Sequence, residues 1–103
     1  MAQFTVRVEL HDAQWNDYET LHTAMQQQGF SRLITTDDGR IYHMPWAEYD
    51  GSGSLTSMQV LGLAQQAATR TGKKHAILVT ESASRAWIGL QPSNAIAQVA
   101  VRR

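Results

Sequence analysis

The chain of 103 residues contains no cysteine. Disulfides, a thiol nucleophile and a Cys-based zinc site are thereby excluded. Charge is also scarce. Charged residues make up 17% of the chain and the formal net charge is zero. That balance argues against non-specific DNA binding, which needs a basic footprint, and no DNA partner is expected. No apolar run approaches the ~20 residues of a membrane span. The start, MAQFTVRVEL, lacks the basic and then apolar regions of a signal peptide. No membrane association is therefore expected, and a cytoplasmic location is the simplest reading. The four histidines, His11, His22, His43 and His75, show no metal-ligand spacing and no His-Glu-x-x-His. Nucleophile-elbow and dinucleotide fingerprints are missing as well. Neither a metal nor a cofactor is expected.

What is present is a sequence of clear period changes. QFTVRVEL (3–10) alternates, with Phe4, Val6, Val8 and Leu10 on one side and Thr5, Arg7 and Glu9 on the other, as a half-buried strand does. Residues 11–30 switch to helical spacing through Trp15, Tyr18, Leu21 or His22, and Met25. Asp12 or Asn16 can cap that helix, and Gly29 can take the left-handed position after it. SRLITT (31–36) and RIYHMPW (40–46) read as strands joined by an Asp-Asp-Gly turn. AEYDGSGS (47–54) reads as a flexible loop. Residues 55–72 form the second helix, with Ser54 or the Thr-x-x-Gln of Thr56–Gln59 as its start. HAILVTE (75–81) is the next strand, and RAWIGL (85–90) a short further one. The order β-α-β-β-α-β is the split-βαβ, ferredoxin-like signature: an α+β domain over 1–90 whose antiparallel sheet carries two helices on one face. Residues 91–103 form a C-terminal extension or tail.

Charge is uneven along the chain. Residues 1–50 hold three basic and eight acidic side chains, a net of −5, and residues 51–103 hold six basic and one acidic, a net of +5. The split fits either a scattered surface or a polarised one that binds an anion or a second copy. The uncovered sheet face would carry Thr5, Arg7 and Glu9, with Arg7 and Glu9 as ion-pair partners. Gly51 and Gly53, ahead of the second helix, read as a connector or as a weak phosphate-cradling loop.

Several stretches resemble one protein group: FTVRVELHDAQWNDYETLHTAM, GFSRLI, DGRIYHMPWAEY and TGKKHAILVTESASRAWIGL. Over residues 4–90 the chain resembles a family of small bacterial proteins, a domain of unknown function related to the endoribonuclease antitoxin GhoS of type V toxin–antitoxin systems. The resemblance implies a ferredoxin-like fold and, for the antitoxin, cleavage of the toxin's messenger RNA without a bound cofactor. This sequence departs from that antitoxin at most positions, and no catalytic motif is carried over.

Metal-free RNA cleavage needs a base for the 2′-hydroxyl, an acid for the leaving oxygen and a cation for the charged phosphorane. His22, His43 and Glu81 are the candidates for proton transfer. Arg7, Arg32 and Arg85 could hold phosphate, since guanidinium binds it in a fork. Tyr42, Trp46 and Trp87 could stack on bases. The expectation is an RNA-directed, metal-independent endoribonuclease of antitoxin type acting on single-stranded messenger RNA. The alternative is a non-catalytic, dimeric module binding a protein or small ligand.

Overall fold

The computed structural model describes residues 1–93. Seven elements follow in order: β1 (Ala2–Leu10), α1 (Trp15–Gln27), β2 (Leu33–Thr35), β3 (Ile41–His43), β4 (Glu48–Gly53), α2 (Ser57–Thr69) and β5 (His75–Glu81). β1 is the centre of an antiparallel sheet of order β4-β1-β5. Its alternation places Phe4, Val6, Val8 and Leu10 in the core. They pack in one cluster with Leu21, Ala24 and Met25 of α1 and Val60, Ala64, Ala67 and Ala68 of α2. Both helices thus cover the same sheet face, because each has one apolar stripe to remove from water. The result is the expected α+β, ferredoxin-like arrangement. No helix among the described residues is long and apolar enough to cross a membrane.

The strand beside β1 is not the expected one. AEYDGSGS is no loop: β4 pairs with β1 from Arg7↔Glu48 to Ala2↔Gly53. Its Gly, Ser and Asp content reads as a turn because those residues are poor strand formers. The packing explains the glycine. A Cβ on Gly51 would lie 2.8 Å from the Phe30 ring, so the buried Phe30 occupies the space a side chain would need. Because Gly51 and Gly53 both pair with β1, they are part of a strand and not the loop that a phosphate cradle ahead of a helix would need. The segment 40–46 supplies only the short β3, which pairs with β2 in a hairpin turned by Gly39 (φ 89°). Ser31, just before β2, exchanges two backbone hydrogen bonds with Asp50 at 2.8 and 2.7 Å, so the hairpin is hung on the outer side of β4.

The helix ends follow local chemistry. Neither Asp12 nor Asn16 caps α1. The Asp17 carboxylate accepts from the Gln14 N–H at 2.8 Å instead, and Gly29 (φ 93°) follows the helix as expected. At α2, Thr56 Oγ1 accepts from the Gln59 N–H at 3.1 Å and Gln59 Oε1 accepts from the Thr56 N–H at 2.8 Å. That reciprocal pair satisfies two otherwise orphaned donors.

After β5 the chain forms no strand over 85–90. The Ser82 N–H still donates to the Gln3 carbonyl at 2.8 Å, and the chain then crosses the uncovered sheet face to reach β3. There the His43 N–H donates to the Gln91 carbonyl and the Ser93 N–H to the Ile41 carbonyl, both at 2.9 Å. The remainder of the expected C-terminal extension, residues 94–103, lies outside the described residues.

Candidate functional site

Trp15, Tyr18 and His22 recur at i, i+3 and i+7, so α1 presents them along one stripe. Trp46 meets that stripe from the turn before β4. Its ring stacks on Trp15 at 4.9 Å with 24° between planes. It lies 5.5 Å from Tyr18 and 5.0 Å from His22, at nearly a right angle. The Arg32 guanidinium sits 5.7 Å from the centre of the same ring, within cation–π range. The Glu48 N–H donates to the Pro45 carbonyl at 3.0 Å, closing a turn around Trp46 and Ala47. Ala47 has φ 60°, a left-handed conformation that costs a non-glycine residue about 1 kcal/mol. The backbone accepts that cost at the corner that projects Trp46.

Both indoles remain open to solvent, Trp15 at 67% and Trp46 at 46% exposure. Trp15 is therefore not the core residue its helical spacing suggests. The core positions of α1 go to Leu21 and Met25, one step around the helix.

Beneath the indoles lies a buried polar pair. His22 Nδ1 is 2.6 Å from the Tyr49 hydroxyl, and Tyr49 is fully buried. Burial pushes the Tyr49 phenol up, so it keeps its proton. Donation of that O–H to Nδ1 leaves one buried donor without a partner; the opposite orientation leaves both a hydroxyl proton and a ring nitrogen unmatched. We therefore assign the tautomer with hydrogen on Nε2. Among the described residues, Nε2 has no hydrogen-bond partner. Burial, and next the positive charge of Arg32, lower the His22 pKa below its ordinary value, with Glu19 opposing. The ring is neutral near pH 7.

A second constellation spans the uncovered face. Arg85 Nη1 donates to Asp50 Oδ1 at 2.8 Å and to Thr5 Oγ1 at 3.4 Å, and Nη2 donates to Gln3 Oε1 at 3.3 Å. Thr5 and Asp50 stand opposite each other on β1 and β4. The Trp87 ring meets Tyr42 at 5.8 Å, edge to face. These contacts fasten the segment after β5 to the sheet and hairpin.

The sequence candidates therefore separate. His22 and Arg32 come together at the Trp46 ring. Arg85 is engaged by Asp50, and Tyr42 and Trp87 by each other. Arg7 is exposed opposite Glu48 and Leu78; Glu9 pairs with His11 at 3.2 Å rather than with Arg7. His43 is exposed on β3 beside Leu33. Glu81 stands opposite Phe4, hence on the helix-bearing side of the sheet and not beside Arg7. Among the described residues no hydrogen bond or ion pair joins His22, His43 and Glu81, and no three His, Asp or Glu side chains gather as a metal site.

Trp15, Tyr49 and Asp50 are the site residues that sequence reasoning missed. Helical spacing hid the first, and the loop-like composition of 47–54 hid the other two. No protein-family model matches the chain, and no curated protein matches it.

Proposed function

We propose that the domain binds single-stranded RNA across the Trp15–Trp46 face and cleaves it as a metal-independent endoribonuclease of the antitoxin type, directed at a toxin's messenger RNA. The observation that carries this reading is the pair of exposed, stacked indoles with one guanidinium against them and one buried imidazole below. Aromatic faces bind bases irrespective of their identity, at about 1–3 kcal/mol per stacked base. Arg32 is placed to contact the phosphate beside a base stacked on Trp46.

Of the three proton-transfer candidates His22 alone lies at this face. Its Nδ1 is taken by Tyr49 and its hydrogen is on Nε2, so it is a donor only. Water therefore accepts the 2′-hydroxyl proton and supplies one to the leaving 5′-oxygen. In its assigned tautomer His22 offers an Nε2–H to a phosphate oxygen once Trp46 moves onto a base. That hydrogen bond and Arg32 would both stabilise the negative charge that builds up on the phosphorane. The cleavage half of the proposal rests on the resemblance to the antitoxin-related family together with this inventory.

Two readouts in the presence of EDTA test the reading: indole fluorescence on titration with a labelled single-stranded RNA, and gel analysis of the same RNA. The expected result is quenching together with cleavage, with His22→Asn abolishing cleavage and sparing quenching. No quenching at about 50 mM salt, where phosphate contacts are strong, overturns the whole proposal. Quenching without cleavage overturns its catalytic half.

A further inference from the structure

β5 is an edge strand whose outer side has no partner among the described residues. Which of its groups face outward follows from two bonds. The His11 N–H donates to the Lys74 carbonyl and the Ser82 N–H to the Gln3 carbonyl, so residues 74 and 82 turn their backbone toward β1. Antiparallel ladders alternate. Positions 76, 78 and 80 therefore also face β1, while His75, Ile77, Val79 and Glu81 point their N–H and C=O groups outward.

Proteins usually protect such an edge with proline, a bulge or a mid-strand charge. β5, HAILVTE, has no proline, pairs with β1 without a bulge, and carries its one acidic group at the last position. Leu78 is 63% exposed on the side away from the helices. Ile77 and Val79 reach the core only partly buried.

We propose that two copies of this chain pair through β5, antiparallel about a two-fold axis at Leu78, and join their sheets into one. Sequence and parity specify the register. With Leu78 opposite Leu78 of the second copy, Ile77 meets Val79 and His75 meets Glu81, each twice by symmetry. All four outward-facing residues then exchange backbone hydrogen bonds. The two exposed leucines fall in a non-hydrogen-bonded pair, where side chains approach most closely. Charge agrees with this register. The Glu81 carboxylate at the end of one strand meets the start of the other, where His75 follows Lys73 and Lys74. His75 Nδ1–H donates to the Lys73 carbonyl at 2.9 Å, so Nε2 carries a hydrogen to donate to that carboxylate only in the protonated, doubly N–H form of the ring. A parallel pairing would instead set like ends together.

The absence of native cysteine permits a direct test in the full chain. Sedimentation of the wild type at tens of micromolar should give twice the 11.5 kDa chain mass. Leu78→Cys should oxidise readily to a covalent dimer, because directly opposed Cβ atoms lie about 4.5–5.5 Å apart. Ala76→Cys should not, since its own copy would be displaced by roughly 14 Å along the strand. Leu78→Lys, which sets two ammonium groups against each other, should give a monomer with an unchanged far-UV spectrum. A monomeric wild type overturns the proposal, whether the edge is covered by residues 94–103 of the same chain or by nothing. Equal crosslinking at positions 76 and 78 overturns the register. Neither outcome depends on RNA binding.

Discussion

The Arg85 guanidinium holds the Asp50 carboxylate at 2.8 Å, with side-chain exposures of only 17% and 8%. This pair links the segment after β5 to the strand on the far side of β1. It also explains the polar run of residues 80–87. Ser82 shares a 3.4 Å hydroxyl contact with Thr5, Arg85 anchors the crossing, and Trp87 docks on Tyr42.

Arg85→Ala should therefore be a stability mutation. Removing the guanidinium takes from the Asp50 carboxylate its opposite charge in a largely buried place, at a cost of about 2–4 kcal/mol. For a domain of this size that is a drop in Tm of roughly 10–25 °C. Asp50→Asn should cost less, because an amide is easier to desolvate than a carboxylate. Thermal melts of both variants check this ordering. RNA quenching by folded Arg85→Ala should match the wild type, since its guanidinium is engaged away from the indoles.

His22 should make stability fall on acidification. Its folded-state pKa lies below the ordinary 6.5, so the unfolded chain takes up a proton first as the pH drops. The stabilising contribution is complete above about pH 6.5 and is lost as the pH falls through the folded-state value. The Tm of the wild type should drop more between about pH 7 and about pH 5 than that of His22→Asn. A parallel pair of pH profiles would refute the assignment. Tyr49→Phe, which removes the hydroxyl donor at 2.6 Å, should lower stability by about 1–3 kcal/mol by orphaning Nδ1.

Trp46→Ala should weaken single-stranded RNA binding about 5- to 150-fold, the equivalent of about 1–3 kcal/mol of lost stacking. Arg32→Gln should weaken it less and flatten its salt dependence. One neutralised phosphate on a single strand corresponds to a slope of about −0.7 in log K against log salt. Titrations at several salt concentrations measure both effects. Trp87→Ala should leave the affinity unchanged.

Gly51→Ala should destabilise the sheet by about 1–3 kcal/mol, because the new methyl meets a buried ring that has little room to retreat. Phe30→Leu in the same chain should recover part of the loss. Denaturant unfolding of the two single variants and the double variant gives the coupling. Additive losses would show that the 2.8 Å approach is relieved elsewhere.

The sequence by itself determined the layers. The two-residue period of 3–10, the helical periods of the next segments, the glycines after α1 and in the hairpin, and the Thr56–Gln59 box are local signals, because each depends on backbone periodicity or on neighbours a few residues apart. Only the tertiary structure decided which strand lies beside β1. The strand Glu48–Gly53 has the composition of a loop, and what makes it a strand is the β1 ladder on one side and Phe30 seated on Gly51. The site was legible to the same extent. His22 and Arg32 were recognisable as residue types able to move protons and hold phosphate. Their meeting at Trp46, and the capture of Arg85 by Asp50, depend on contacts between positions far apart in the chain. A side chain's chemistry is written in its own residue, but its partner is chosen by packing.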